Sequence, residues 1–545
     1  MPSTVLTRDL RQTFHVRKRG PLAWPAARAF LSMLVPLVLL LQLDRLDLVA
    51  GAVFGALTSV YARSEPYRQQ TRTLAAVAVS MVLAVAIGDV IAVFGSGHAW
   101  HEPVALLATA AVGAVTTAAG TAVKLGAPGG LIFAFATGAC AHLSLSSADL
   151  GPHLATAAIS AAFAWAVSSA GAVVTGLNPQ FRTVSAALEA TAVHLAARPD
   201  LTTRHRASVA VENAWNSVAL VGRKHRDGRP HLDLVRATET CEALLSPEHA
   251  TSVTAEEVRA TADDLRRGRG FRDLVLAGRD SPVVPAPTSR WQVAREVIGA
   301  ALAPGRRAGT WLVPYALRVG VAAFIAGVVA NLLGIGHAYW AAVSAVSVLQ
   351  ATSTSSSVPR MVQRGIGTLV GVLVGLSLLT ADPAPWVIIL LMAGLQWGAE
   401  MTVLINYSFG LLFATPVALL VSALATPMPP GELATDRLWS TLLGAAIAVA
   451  VAWMLPNRAW LARVHRALVR VRELSAADPI QPIRLRNALI ELHEAYDVAE
   501  GEVRDSKLPT EELLDVSHRA YVLLDGAPPP TRRSDWHDKH VETDR

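Results

Sequence analysis

The sequence predicts an all-α polytopic membrane protein with two parallel repeats of about six transmembrane helices, each followed by a cytoplasmic helical region. Three observations lead to this fold class. Of the 545 residues, 52% are hydrophobic and only 17% are charged, whereas about 25% are charged in soluble domains. Twelve apolar runs approach the ~20 residues that a helix needs to cross the hydrocarbon of a bilayer. Basic residues fall in alternate loops, as they do in the cytoplasmic loops of membrane proteins.

The first half of the chain is predicted to begin in the cytoplasm. Residues 1–25 form a basic N-terminus whose arginines and lysine lie just before the first apolar run, and such a segment is retained inside the cell. A first transmembrane bundle is expected over residues 26–176. Its apolar runs lie at 26–43, 48–62, 73–94, 104–123, 129–147 and 154–176.

The second half repeats this arrangement. Residues 177–310 are polar, with apolar residues at helical spacing, and predict a cytoplasmic helical domain. A second transmembrane bundle is expected over 311–456, with runs at 311–333, 338–351, 365–380, 385–401, 404–424 and 437–455. Residues 457–525 predict another cytoplasmic helical domain, and 526–545 predict a disordered tail. Both termini are then cytoplasmic.

The spacing between similar residues predicts the internal repeat. Arg68 and Arg72 recur 292 positions later as Arg360 and Arg364. The sequence Phe-Ala-Thr that begins at Phe135 recurs 278 positions later. An even number of spans in each half gives both copies the same orientation, so the repeat is predicted to be parallel.

The stretch 337–375 predicts a close contact between helices. Tyr339 and Trp340 are amphipathic rings of the kind enriched at a membrane–water boundary. After a loop rich in serine and threonine and two arginines, Gly367, Gly371 and Gly375 recur every fourth residue. This spacing leaves a flat strip on a helix, against which the backbone of another helix can pack.

Several residues of the second bundle stand in a distinctive order. They are Tyr339-Trp340, Gln350, Arg360, Arg364 with Gly367-Thr368, Gly371, and Asn406-Tyr407 followed by Phe413 and Thr415. In this order and spacing, residues 311–456 resemble the integral-membrane module of the fusaric acid resistance and aromatic acid exporter family. The resemblance implies a plasma-membrane efflux protein for aromatic or other weak organic acids, driven by the proton gradient. The first half resembles the same module more weakly, because it lacks the Tyr-Trp pair.

The candidate substrate residues are basic, aromatic or hydroxyl side chains. An arginine fork binds a carboxylate bidentately, and aromatic rings can stack on an aromatic acid. The set is Arg68, Arg72, Phe135, Thr137, Tyr339, Trp340, Arg360, Arg364, Tyr407, Phe413 and Thr415. The alternative roles are topology anchors for the arginines and helix packing for the others.

Ionisable residues inside apolar runs are costly and therefore indicate function. Glu400 lies between Trp397 and Met401 with no basic residue nearby in sequence, which makes it the proton-coupling candidate. The alternative is a structural position at the cytoplasmic tip between two spans. Asp89 is expected at the outer end of its helix.

Several function classes lack their motifs. Cys140 and Cys241 are too few for a disulfide framework or a zinc cluster. The sequence has no Walker-type glycine loop, which excludes an ATP-driven pump.

We predict no enzyme activity, metal, cofactor or nucleic-acid binding. The expected partners are the lipid bilayer, a small organic anion and a second copy of the chain in a homodimer. A passive anion channel and a non-transporting membrane scaffold with cytoplasmic partner-binding helices remain as alternatives to the exporter.

Overall fold

Helices are the regular elements of the described chain. The computed structural model describes residues 23–63, 65–174, 177–197, 201–221, 228–245, 253–267, 271, 290–302, 311–350, 354–403, 405–426, 428–455, 459–502 and 508–526. Over these ranges the chain forms α-helices and short 3-10 helices and no β-strand, which confirms the all-α class. The predicted basic segment before residue 23 and the predicted tail after residue 526 lie outside the described residues.

The described residues fall into two units, which we call the membrane unit and the polar unit. The membrane unit lies within 1–176 and 289–459, and the polar unit lies within 177–288 and 460–545. The membrane unit begins with α1 (Ala23–Gln42), α2 (Val49–Ala56), α3 (Tyr67–Gly95), α4 (His101–Ala122), α5 (Leu131–Ala141) and α6 (Leu150–Val174).

The chain then passes through both units again. Four helices of the polar unit are α7 (Asn178–Ala196), α8 (Leu201–Ala219), α9 (Arg229–Ala243) and α10 (Ala255–Arg266). The membrane unit continues with α11 (Arg290–Leu302), α12 (Leu312–Leu332), α13 (Tyr339–Leu349), α14 (Thr354–Thr380), α15 (Pro385–Thr402), α16 (Tyr407–Ala425) and α17 (Pro430–Met454). The polar unit is completed by α18 (Ala459–Ser475), α19 (Pro482–Glu502) and α20 (Thr510–Gly526).

One predicted boundary needs correction. Helix α11 packs on α4 and α12, so residues 290–302 belong with the membrane unit and the predicted polar range 177–310 is too long. The exposed positions of this helix are mostly polar. For this reason the sequence alone assigned the helix to the polar domain.

Within the described residues, eight helices are long and apolar enough to cross a bilayer, namely α1, α3, α4, α6, α12, α14, α16 and α17. The predicted runs at 48–62, 129–147 and 338–351 instead contain the short helices α2, α5 and α13. Every residue of α2 and of α13 is buried. Their apolar sequence therefore reflects enclosure by other helices. By contrast, large apolar side chains such as Val115, Ile159 and Leu332 are exposed on the long helices, on surfaces that a bilayer would cover.

The glycine strip of α14 is confirmed as a helix contact, and its partner is α16. A Cβ atom built at Gly371 would lie 2.7 Å from Thr415 Cβ, and one at Gly367 would lie 2.6 Å from the Ser408 carbonyl oxygen. The two backbones therefore approach closely within one chain. Helix α14 begins at Thr354, earlier than the predicted run at 365, so the arginines at 360 and 364 lie within the helix.

The helices of the two halves pair in the same way. Helix α2 packs on α6 as α13 packs on α17, and α3 packs on α5 and α6 as α14 packs on α16 and α17. The first helix of each half packs on the fourth helix of the other half, α1 on α15 and α12 on α4. Matched pairs of this kind are what a parallel duplication predicts, and the repeat itself stays a prediction.

The contacts of α3 and α14 suggest another register for that repeat. Thr137 Oγ1 donates to the Ala84 carbonyl oxygen at 2.9 Å, and its repeat mate Thr415 lies against Gly371. If Thr137 and Thr415 correspond, their contacts match Ala84 with Gly371, 287 positions apart. At this spacing Arg360 and Arg364 align with Thr73 and Val77.

The predicted matches of Arg360 with Arg68 and of Arg364 with Arg72 differ from this spacing by five positions and stay a prediction. Basic residues occur near the beginning of α3 and of α14, and similar spacing between them arises without equivalent packing. Arg68 and Arg72 are exposed, whereas Arg364 is buried.

The polar unit has its own core. Val211 and Trp215 of α8 pack with Leu234 of α9 among other buried apolar residues. The Trp215 Nε1 group donates to Glu242 Oε2 at 2.8 Å, and Arg486 Nη1 lies 2.8 Å from Glu242 Oε1. A shared carboxylate thus ties α8, α9 and α19 together.

Two histidine rings stack in the polar unit. The centroids of His205 on α8 and His493 on α19 are 4.2 Å apart. Burial, followed by the charge of His493, lowers the pKa of His205 from 6.5 to about 4, and burial also lowers the pKa of His493. His205 is therefore uncharged near neutral pH.

Gly371→Ala should destabilise the protein by about 1–3 kcal/mol, because the added methyl group would press on Thr415 in a close-packed contact. Gly365→Ala is the matched control, since a Cβ atom there meets only Leu442, at 3.7 Å. Thermal unfolding of both variants in detergent measures the difference. Equal melting temperatures for the two variants would contradict the contact.

The polar unit should lose stability as the pH falls from about 6.5 towards 4, because the unfolded chain then binds a proton that folded His205 does not. Hydrogen exchange of the α8 amides, corrected for intrinsic rates, measures this loss. His205→Gln should weaken the pH dependence, and His465→Gln, at an exposed position of α18, should leave it unchanged. An unaltered dependence in His205→Gln would rule out His205 as its source.

Candidate functional site

Arg364 is a buried positive charge held by neutral groups. It lies on α14 and is 1% exposed. Its Nη1 donates to Tyr407 Oη at 3.0 Å, and its Nη2 donates to Ser344 Oγ at 3.1 Å. No carboxylate in the described part of the chain pairs with it. Helices α13, α14 and α16 thus converge on a cation without a counter-ion.

Arg437 of α17 is a second buried guanidinium in the same region. It is 5% exposed, and its Cζ atom lies 4.9 Å from the ring centroid of Trp340 and 5.9 Å from that of Phe135. These distances suit cation–π attraction. Among the described residues, Nε and Nη1 of Arg437 meet no hydrogen-bond acceptor. The charge of Arg364 acts on Arg437, so two like charges share this part of the unit.

We define the arginine centre as Trp340, Ser344, Arg364, Tyr407 and Arg437. Arg360 lies at its edge, with Nη1 donating to the Ser347 carbonyl oxygen at 3.4 Å and Cζ 5.6 Å from the Tyr407 ring centroid. An unpaired charge removed from water is destabilising by several kcal/mol. A bound anion would offset that penalty, and arginine forks favour a carboxylate.

Aromatic rings at the start of α13 adjoin the arginine centre. Tyr339 stacks on Phe135 at 6.4 Å between centroids, and Trp340 stacks on His337 at 4.6 Å. Tyr339 and Trp340 are buried, so their rings contact other helices, and their predicted position at a membrane–water boundary stays a prediction. The two rings are buried because α13 is enclosed by α4, α5, α12, α14 and α17.

Two histidine–carboxylate pairs flank the Tyr339 ring. The ring centroids of His142 and His337 lie 4.9 and 6.0 Å from that of Tyr339. His142 Nε2 is 2.9 Å from Glu102 Oε2, and His337 Nδ1 is 3.1 Å from Asp436 Oδ2. One histidine from each half of the membrane unit therefore lies beside the same tyrosine ring.

Glu400 forms an ion pair that links the two halves. Arg63 Nε donates to Oε2 at 2.6 Å and Nη2 donates to Oε1 at 2.7 Å, while Nη1 donates to the Ala127 carbonyl oxygen at 2.6 Å. The side chains of Arg63 and Glu400 are 9% and 3% exposed. A bidentate pair of this kind stabilises the ionised carboxylate. Proton coupling at Glu400 stays a prediction.

The structure brings together about half of the predicted substrate residues. Those in or beside the arginine centre are Phe135, Tyr339, Trp340, Arg360, Arg364 and Tyr407. They come from α5, α13, α14 and α16, so both halves of the membrane unit contribute.

The remaining predicted residues lie elsewhere. Arg68 and Arg72 are exposed on α3. Thr137 is occupied by its hydrogen bond to α3, Phe413 packs against Gly398, and Thr415 lies against the glycine strip of α14. For these last three residues the alternative of helix packing describes the observed contacts.

Sequence reasoning missed Arg437, Ser344 and Arg63. Arg437 is the first residue of the predicted run 437–455. A basic residue in this position is easily interpreted as the flanking charge at the end of a transmembrane helix. The principle that ionisable residues in apolar runs indicate function would have found it. No sequence signal connects Arg63 with Glu400, which are 337 positions apart.

Breaking the Arg63–Glu400 pair should destabilise the protein by about 3–5 kcal/mol, because the remaining charge stays buried without a partner. Glu400→Gln and Arg63→Gln should each lower the unfolding temperature in detergent. The double variant should lose less than the sum of the two single losses, because its second substitution removes the orphaned charge. Strictly additive losses would show that the pair has no coupling energy.

Known proteins resemble parts of the chain. Residues 324–451 match the family model described as fusaric acid resistance protein-like. The uncharacterized membrane protein YvaC of Bacillus subtilis is 27% identical over 235 residues, which are 40% of this chain and 37% of that protein. The uncharacterized protein slr1298 of Synechocystis sp. is 30% identical over 165 residues, which are 29% of this chain and 21% of that protein. The matches thus span well under half the length of these relatives. No solved structure matches the chain.

The family match covers the region from the middle of α12 to the end of α17, which supplies four of the helices around the arginine centre. The resemblance that Tyr339, Arg364 and Tyr407 helped to carry is confirmed there. The chain is a multi-pass membrane protein, and residues 324–451 of its second bundle match the model of the fusaric acid resistance protein-like family.

Proposed function

We propose that the protein exports aromatic or other weak organic acids as anions and that the arginine centre binds their carboxylate. The observation that carries this proposal is Arg437, a buried guanidinium that faces aromatic rings and has no anionic partner among the described residues. Such a residue is stable in an apolar bundle when an anion is present.

The charges and rings of the site suit an aromatic carboxylate. Arg364 and Arg437 provide two positive charges, and the carboxylate takes the donors of Arg437 that have no acceptor. Phe135 and Trp340 supply apolar faces for the ring of the substrate. A ligand with both features gains charge-assisted hydrogen bonds and apolar contact together.

The neutral partners of Arg364 have a positioning role in this proposal. Tyr407 and Ser344 hold two of its nitrogens at 3.0 and 3.1 Å and leave its charge uncancelled. An aspartate or glutamate in either position would neutralise the arginine and compete with the substrate. Hydroxyl partners therefore fix the orientation of the guanidinium while keeping its affinity for an anion.

The direction of transport rests on topology. Basic residues cluster in the segment before α1 and in the loop that leads into α3 together with its first turns (Arg63, Arg68 and Arg72), whereas only Arg45 lies between α1 and α2. By the positive-inside rule these loops face the cytoplasm, so both termini are cytoplasmic and the membrane is the plasma membrane. Export of an acid anion against its gradient then uses the inward proton gradient.

Flux measurements in proteoliposomes test the substrate class. Benzoate should be transported, cyclohexanecarboxylate should be transported less well because it lacks the aromatic ring, and neutral benzamide should not be transported. Accumulation should require an imposed proton gradient. Benzoate currents that follow voltage without proton dependence would indicate a channel, and no flux of any acid would favour the scaffold.

Arg437→Gln and Arg364→Gln should each weaken benzoate binding about 10- to 100-fold, the equivalent of a charge-assisted hydrogen bond of about 1.5–3 kcal/mol. Arg437→Gln should also unfold at the same temperature as the wild type or higher, because it removes an unpaired buried charge. Arg72→Gln, at an exposed arginine of α3, is the control. Unchanged binding in Arg437→Gln would refute the assigned site.

A further inference from the structure

A second polar cluster lies inside the first half of the membrane unit, away from the arginine centre. Asp89 of α3, Cys140 of α5 and His153 of α6 are each fully buried. His153 Nδ1 is 2.8 Å from Asp89 Oδ2, and His153 Nε2 is 2.9 Å from the backbone nitrogen of Gly51 on α2. One carboxylate oxygen of Asp89, the Cys140 Sγ atom and one ring nitrogen of His153 all lie within 4.8 Å of one another.

The hydrogen bonds of His153 determine where its proton resides. The Gly51 backbone N–H can only donate, so Nε2 must accept and carries no hydrogen. The ring proton therefore lies on Nδ1, which donates to Asp89 Oδ2. His153 is the neutral Nδ1–H tautomer, and it provides a hydrogen bond to Asp89 but no positive charge.

Asp89 consequently lacks a counter-ion. In the described part of the chain, its Oδ1 atom accepts no hydrogen bond and no arginine or lysine pairs with it. The titratable groups that face it are His153 from α6 and Cys140 from α5, and α2 contributes the Gly51 backbone to the far side of the imidazole. An ionised carboxylate in this position is unfavourable, and a proton on Oδ1 removes the charge.

We infer that Asp89 is the proton-binding group of this bundle. The proton binds to Oδ1 and leaves from it, while the Nδ1–H of His153 remains in place and donates to Oδ2 in both states. Each cycle changes the charge of the cluster by one and forms or breaks a single O–H bond. No other group in the cluster has to change its protonation.

A metal site fits this geometry less well. His153 uses both ring nitrogens in hydrogen bonds to protein atoms, so it has no free lone pair for a cation. One of the two Asp89 oxygens is also engaged. A metal ion would have to displace the Gly51 contact, which is a close approach between α2 and α6.

Glu400 differs from Asp89 in the respect that matters for proton binding. Arg63 contacts both oxygens of Glu400 and supplies the opposite charge. Protonation of Glu400 would leave Arg63 buried and unpaired, whereas protonation of Asp89 leaves no charge behind. Asp89 is therefore the residue through which proton binding can be coupled to transport.

The position of Asp89 permits exchange with one end of the bundle. It lies six residues before the end of α3 at Gly95, and Cys140 is the penultimate residue of α5. The expectation that Asp89 lies towards the end of its helix is consistent with this position, but the side chain is enclosed, since it is 0% exposed. An enclosed carboxyl near a helix end can exchange its proton through a small local opening.

Infrared difference spectroscopy of the full-length protein tests proton binding without any substrate. Lowering the pH should produce the carbonyl-stretch band of a protonated, non-hydrated carboxylic acid. The band should shift when aspartate is labelled with ¹³C, and it should be lost in Asp89→Asn. Asp149→Asn, at a partly exposed aspartate, is the matched control and should retain it. A band that survives in Asp89→Asn, or no band in the wild type, would overturn the inference.

A separate assay tests whether proton binding at Asp89 is coupled to transport, and this assay rests on the proposed function. In proteoliposomes, Asp89→Asn should lose benzoate accumulation driven by a proton gradient while retaining benzoate–benzoate exchange at equal pH. Loss of both activities in a folded variant, or retention of both, would refute the coupling role. If the wild type moves no benzoate but shows the Asp89-dependent band, the export proposal fails and the proton-binding site stands.

Discussion

Neutralisation of buried charge is the constraint on which this membrane unit depends. Where water is absent, an ionised group needs a partner, and the Arg63–Glu400 pair provides one across the two halves of the chain. Arg364, Arg437 and Asp89 have no such partner in the described residues. Arg437 needs an anion and Asp89 needs a proton, which are the two species that a proton-coupled exporter of acids must handle.

Short enclosed helices make such sites feasible within the bundle. Helices α2 and α13 are too short to span a bilayer and are buried along their whole length. The backbone of α2 supplies the N–H group that fixes the tautomer of His153. Helix α13 carries Trp340 and Ser344 to the arginine centre. The two short helices therefore place polar groups in the interior of the bundle, on helices that have no face exposed to lipid.

The sequence predicted features that depend on local pattern. The apolar runs located the helices, and the spacing of Gly371 and its neighbours identified a contact that the structure confirms. Arg364 was identified because arginine in this setting suits an anion. Partners distant in sequence were not predictable, since nothing near Glu400 indicates Arg63 and nothing near Asp89 indicates His153.

Helix α5 provides the physical connection between the arginine centre and the Asp89 cluster. It carries Phe135, which lies beneath Arg437, and Cys140, which lies beside Asp89. A Cβ atom at Gly138 would lie 2.9 Å from Tyr339, and one at Gly88 would lie 2.7 Å from Cys140 Cβ. Helix α5 is thus in close contact with α13 on one side and α3 on the other.

Close-packed helices move as units because their interfaces deform little. If a bound anion moved Phe135, the same helix would carry Cys140 relative to Asp89, and loss of the Asp89 proton would act on that helix from the opposite side. Coupling between the two sites requires only that α5 adopt two positions, each favoured by one of the two ligands.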